Sequence, residues 1–210
     1  MADVNVAVIY YSATGNVYKM AQAAVMGAEK AGAEVRLRKV RELAPEEAIA
    51  SNEGWSRHRL ETQAVQEATL DDLAWADVLV FGTPTRFGTV AAQLKQFIDT
   101  AGPLWAQGKL VNKVMTGFVS VGTGHGGHES TLLSLFNTAY HWGAVIAPPG
   151  YADPIQFRTG NPYGASHTSA NGQNPPSDDD LLATEFTARR ATDIGAALRH
   201  GLLLAPLDGQ

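Results

Sequence analysis

Cysteine is absent from this 210-residue chain. That removes disulfides, thiol nucleophiles, redox dithiols, and thiolate-bound zinc or iron–sulfur clusters. Any redox chemistry needs a bound organic cofactor or a metal held without thiolates. Charge is sparse too. Charged residues make up 18% of the chain, against roughly 25% in a typical soluble domain. The formal net charge is −5 and the basic residues are scattered, so no nucleic-acid surface is expected. No apolar run is long enough for a membrane span. The chain opens Met-Ala-Asp-Val and passes straight into a strand, without a signal-peptide pattern, so a cytoplasmic protein is expected. A GxSxG elbow is missing, which argues against a hydrolase triad.

What is present is apolar and glycine-rich. Hydrophobic residues are 45% of the chain, with 21 glycines, enough for one domain spanning residues 1–210 with a full core. Val4 to Tyr10 reads as a strand covered on both faces. A helix follows from about Val17 to Lys30, with Val17, Met20, Ala21, Ala24, Val25 and Ala28 on one face and Gly32 after its end. Val35 to Val40 alternates as a second strand, completing a βαβ unit. Further strands are expected at Asp77 to Gly82, Lys113 to Val121 and Ala144 to Ala147. Helices are expected at Val90 to Thr100, at Glu129 to Trp142, and from a Ser177 cap onward. The expectation is a doubly wound α/β fold, a five-stranded parallel sheet sandwiched by helices. Two segments exceed it: a weakly helical insertion from Glu42 to Thr69, and a long loop from Asp153 to Pro176.

Three loops fall at the carboxyl edge of the sheet, where open α/β sheets bind ligands. Ser12-Ala13-Thr14-Gly15-Asn16-Val17 leaves a strand and opens a helix, with small residues that let amides wrap an anion. It lacks the Walker lysine and the spaced glycines of the dinucleotide fingerprint, which favours a mononucleotide phosphate. Alone, it fits an ordinary capped turn equally well. Thr83 to Gly88 offers a stiffening Pro84, with Arg86 and Phe87 suited to a planar polar ring, or to a plain strand-to-helix turn. Ser120 to Gly127 is too glycine-rich to fill space and exposes backbone. Together, a phosphate cradle and two ring-contacting loops are what flavin mononucleotide (FMN) needs.

Tyr10-Tyr11-Ser12, the segment Phe81 to Gly88, Leu104-Trp105-Ala106, Gly122-Thr123-Gly124 and Asn161 to Ala165 resemble the WrbA family. These are type IV NAD(P)H:quinone oxidoreductases with a flavodoxin-like fold. The resemblance implies FMN, NAD(P)H as electron donor, two-electron reduction of quinones to hydroquinones, and a homotetramer. It implies that Ser12, Ala13, Thr14, Gly15, Asn16 and Val17 hold the phosphate. Pro84, Thr85, Arg86, Phe87 and Gly88 would border the flavin ring. Ser120, Val121, Gly122, Thr123, Gly124 and His125 would wrap its other edge, with His141 also touching it. Trp105 and Thr14 would face the substrates. Family members often carry tyrosine where this chain has Thr14. The third loop has an extra residue with His125 and His128, and the Glu42 to Thr69 segment matches poorly.

The chemistry then sits on the flavin, with no catalytic side chain and no metal site expected; His125 and His128 lack further ligands of convincing spacing. NAD(P)H and quinone would use one flavin face in turn, giving ping-pong kinetics. The competing reading is a flavodoxin-like one-electron carrier without a small-molecule substrate. Trp55, Trp105 and Trp142 near loops and element ends, with Tyr151, Phe157 and Tyr163 around the long loop, point to subunit contacts.

Overall fold

The computed structural model describes residues 4–205. Strand β1 (Asn5–Tyr10) is almost wholly buried, helix α1 (Asn16–Lys30) follows, and β2 (Glu34–Lys39) returns parallel to β1. The apolar stripe of α1 is as read, except that Val25 lies at its half-exposed edge. Gly32, at φ 87°, turns the chain after α1 as a left-handed C-terminal glycine does. The insertion holds α2 (Glu46–Ala50) and α3 (Glu53–Glu61), and α4 (Leu70–Trp75) follows it. Helix α4 lies outside the helices expected from sequence, although Thr69 and Asp72 form a capping box at its start.

Strand β3 (Val78–Arg86) continues four residues past the expected end at Gly82 and turns into β4 (Thr89–Val90). Then come α5 (Ala92–Asp99), α6 (Gly102–Ala106), β5 (Val114–Val121) and α7 (His128–Trp142). The chain closes with β6 (Val145–Ile146), α8 (Pro154–Thr159), β7 (Ala165–Thr168) and α9 (Asp178–Leu204). Thr83 and Pro84, expected in a loop, are strand because they pair with Val119 and Ser120 of β5. Trp105, expected on a loop, lies in the short helix α6.

The parallel order is β2-β1-β3-β5-β6. The fifth position is divided. β6 covers Val114 and Met115 of β5, and β7 covers Phe118 to Val121. The segment from Asp153 to Pro176 is therefore not one loop: it contains α8 and the strand that satisfies the outer edge of β5. With the antiparallel β4, the described residues form seven strands rather than five. β2 sits at one edge and carries Arg36, Arg38 and Lys39, charges that blunt an edge against further pairing.

Each face of the sheet has its own core. Ile9, Leu79, Phe81 and Met115 pack with Leu94, Leu132 and Leu135 on one side. Val6, Val8, Val80 and Phe118 pack with α1 and α9 on the other. Trp142 belongs to the first core, edge-on to Phe81 at 6.4 Å, and is buried within the chain. Helices α1 and α9 touch so closely at Gly27 that an added Cβ would overlap the backbone of Glu185. The two cores fix the strand ends, and these carry the candidate site.

Candidate active site

Beyond the carboxyl ends of β1, β3, β5 and β7 lies a cleft of about 310 Å³, the small end of ligand-sized cavities. The first loop gives it Ser12, Ala13, Thr14, Asn16 and Val17. Strand β3 gives it Pro84, Thr85 and Arg86, and β5 gives Ser120, Val121 and then Gly122. All three loops picked from sequence thus reach one cleft.

The first loop is shaped for an anion. The Ser12 hydroxyl accepts the Gly15 amide at 3.1 Å and closes the turn. Gly15 takes φ 103° and caps α1 without any side-chain hydrogen bond to the helix. The first amides of a helix have no intrahelical partner, and the dipole adds positive potential there. Side chains close four other helix starts, α3 at Asn52, α4 and α9 by capping boxes and α8 at Asp153, whereas α2, α5 and α6 begin without a side-chain cap. Helix α7 also starts at a left-handed glycine, Gly127, without a side-chain cap. Helix α1, whose Asn16 and Val17 line the cleft, opens onto it with its positive end uncapped. The cradle has the donors and the backbone shape that a phosphate requires.

The second loop is a hairpin, not a strand-to-helix turn. Arg86 and Thr89 flank Phe87 and Gly88, whose φ values of 51° and 78° give the two positive-φ positions of a tight primed turn. The Thr85 hydroxyl meets the Thr131 hydroxyl of α7 at 2.5 Å, tying the hairpin down. Phe87 is fully exposed at the tip, and neither it nor Gly88 lines the cleft of a single chain. Arg86 supplies a cationic side chain to the cleft wall.

In the third loop, Ser120 and Val121 are buried strand residues. The Val121 and Gly122 carbonyls accept the Ser169 and Asn171 amides at 2.8 and 2.9 Å. Asn171 presses so close that a Cβ on Gly122 would lie 3.0 Å from its Oδ1. Thr123, Gly124 and His125 are exposed beyond this contact and do not line the cleft. His128 is buried at the start of α7, its Nε2 3.0 Å from the Thr168 hydroxyl.

His141 and Trp105 are placed elsewhere. The Trp105 indole donates to the His141 carbonyl at 2.8 Å, and both line a separate depression with Ile98 and Thr138. Within one chain they do not meet the loops of the cleft, because α5, α6 and the end of α7 form a different face.

The cleft also has residues that sequence reading missed. Asn52 and Trp55 come from the insertion, and Ser169, Asn171 and Gly172 follow β7. Asn171-Gly172 is a turn signal that was there to be read. Nothing in periodicity marks Trp55. Its orientation is set by Glu42, whose carboxylate accepts the Trp55 indole at 3.1 Å, the Tyr11 hydroxyl at 3.0 Å and the Gln93 amide at 2.8 Å. The amides of Leu43 and Ala44 add two more donors. Burial alone would raise the Glu42 carboxyl, but these donors hold it below its ordinary value. Burial, then the neighbouring Glu42, pushes the Tyr11 phenol up, so it stays a neutral donor.

Comparison with known proteins agrees with this geometry. The family model described as NADPH-dependent FMN reductase matches residues 4–156. A Deinococcus radiodurans protein named NAD(P)H dehydrogenase (quinone) is 47% identical, over 94% of this chain and 98% of that protein. A Sinorhizobium fredii protein of the same name is 44% identical, over 92% and 98%. Among solved structures, a WrbA-like flavodoxin from Agrobacterium tumefaciens superposes with TM-score 0.64 at 23% identity, over 93% of this chain and 99% of that one. That likeness shows a flavodoxin-like fold.

Proposed function

Because the chain belongs to the NADPH-dependent FMN reductase family, whose curated relatives include NAD(P)H dehydrogenases (quinone), we propose that it reduces quinones with NAD(P)H through FMN held in this cleft. One observation carries the reading: α1 opens at an uncapped left-handed glycine, at the edge of a cleft rimmed by three loops and Trp55. FMN, when bound, supplies two-electron redox chemistry that the side chains here cannot. The chain's own part is to hold and orient. Ser12 to Val17 bind the phosphate through amides and hydroxyls. Thr85, Arg86 and Ser120 to Gly122 border the ring, and Thr14 lies on the substrate side. No side chain is assigned as acid or base.

One cleft then serves both substrates in turn, so the oxidised nucleotide leaves before quinone enters. Double-reciprocal plots against NADH at several quinone concentrations should be parallel. Converging lines would mean that both substrates are bound together, and would overturn the one-cleft scheme.

The protein works as a single domain over residues 1–210 and assembles as a homotetramer. Trp105 is 57% exposed and Tyr163 40%, while Tyr140 and Phe157 are still more open. Exposed aromatics of this size mark contact surfaces. A second copy covering the Trp105–His141 face would bring that pair to a neighbour's cleft, which a single chain does not do. Light scattering should give about four times the 22.3 kDa chain mass. Dilution should cost activity before it costs FMN binding. A fully active monomer would refute the assembly.

A further inference from the structure

Beside the cleft, on the β2 side of the first loop, lies a cavity of about 290 Å³ that shares Ser12 and Trp55 with it. Two buried polar atoms on its walls, the Tyr10 hydroxyl and His58 Nδ1, have no hydrogen-bond partner among the described residues. Buried polar groups are nearly always paired, so each exception calls for a reason. Burial pushes the Tyr10 phenol up, and it stays neutral. His58 is different, because it can take up a proton in the physiological range.

His58 is 5% exposed on α3, its ring 5.5 Å from that of Tyr18 in α1. Its Nδ1 lies 3.4 Å from the point where a Cβ on Gly15 would sit. The imidazole therefore stands directly behind the left-handed residue that opens the phosphate cradle. The cradle has no Lys or Arg of its own. Burial is the main force holding His58 below its ordinary pKa; Glu61 on its own helix opposes this, and Lys39 of β2 adds to it. The Tyr18 ring of α1 lies against the imidazole, and Tyr10 of β1 lines the same cavity. The nearby Glu46 and Arg59, which also line the cavity, neutralise each other in an ion pair. The remaining charges on the cavity wall are Arg41, Glu42 and Glu67.

We propose that His58 is the counter-charge of the phosphate loop: neutral while the loop is empty, protonated when a phosphomonoester dianion binds, and attracting it through the loop backbone. This rests on the FMN reading and deepens it. It adds a phosphate-binding residue outside the loop, and it couples cofactor binding to proton uptake. The sign follows from linkage. The pKa of His58 rises on binding, so its contribution is full below the empty-state value and is lost as pH rises through the loaded-state value.

The test compares apoprotein with His58→Gln, which keeps a polar side chain but cannot carry the charge, and with His58→Asn should the first variant fold poorly. Each is titrated with FMN and with riboflavin, which lacks the phosphate, from pH 5.5 to 9. The second ionisation of the phosphate, near pH 6, is common to all the proteins and cancels in ratios. The variant-to-wild-type Kd ratio for FMN should be on the order of tenfold at pH 5.5 and fall toward one by pH 9. For riboflavin it should stay near one. Calorimetry at pH 7 in buffers of different ionisation heat should show more proton uptake by wild type than by the variant. A ratio above one that does not change with pH would make His58 a packing residue and overturn the proposal. A ratio of one throughout, or a riboflavin ratio that follows that of FMN, would overturn it too. Failure of the wild type to bind FMN at any pH would instead overturn the cofactor reading beneath it.

Discussion

Replacing Gly15 by valine should weaken FMN binding by roughly 100-fold or more while leaving the sheet folded. Gly15 sits at φ 103°, where a β-branched residue is strongly disfavoured. Its side chain would also grow toward His58, whose ring already lies at contact distance from the Cβ position. The loop would have to turn to a negative φ, and its amides would no longer converge. Strain of about 1–2 kcal/mol adds to the loss of hydrogen bonds to a charged group, about 1.5–3 kcal/mol each. Every 1.4 kcal/mol is about tenfold in Kd, which gives the expected range. Titrating the apo-variant with FMN checks it. An unchanged Kd would mean that the phosphate is held elsewhere.

Asp72→Ala should destabilise the protein by about 3–5 kcal/mol, the usual cost of removing one partner from a buried ion pair. The Asp72 carboxylate is 3% exposed and meets Arg36 at 3.2 Å and Arg38 at 3.0 Å. It also accepts the Thr69 amide and hydroxyl, both at 2.9 Å, closing the box that starts α4. Arg36 stacks over Trp75 at 4.0 Å, so one carboxylate ties edge strand β2 to α4. Burial tends to raise the Asp72 carboxyl, but the Thr69 donors and both arginines hold it below its ordinary value. A carboxylate lowered on folding stabilises above its unfolded pKa, about 3.9, and that stability is lost as pH falls through the folded value. The gap between wild type and variant should therefore be widest near neutral pH and close on acidification. Urea melts at pH 7 and pH 3 measure it. A gap that is the same at both would contradict the ion-pair account.

Local signals account for what could be read in advance. The β1–loop–α1–β2 unit is legible because burial on both faces gives an apolar run, the helix stripe has its own period, and Gly32 marks the turn. The PTRFG segment points to the site, but its ending does not. Strand β3 runs on through Thr83 and Pro84 only because β5 is there to pair with them, a partner that lies about 35 residues away. Strand β7 has four residues and no run of apolar ones; its existence is decided by the open edge of β5. Trp55 and His58 reach the cleft and its loop through α3, whose sequence is polar nearly all round. Only the tertiary position of the insertion gives them meaning. The separation of Trp105 and His141 from the cleft is likewise a property of layers, since α6 and the end of α7 cover a different part of the sheet.

The most direct test of the central claim follows the flavin colour without oxygen. Protein loaded with FMN and freed of excess should bleach near 450 nm when one equivalent of NADH or NADPH is added. One equivalent of benzoquinone should then restore the band in full. Both half-reactions should fail in Gly15→Val prepared in the same way, because it retains little FMN. If bound FMN bleaches with neither nucleotide, or bleaches but is not restored by quinone, the chain is not the quinone reductase described here.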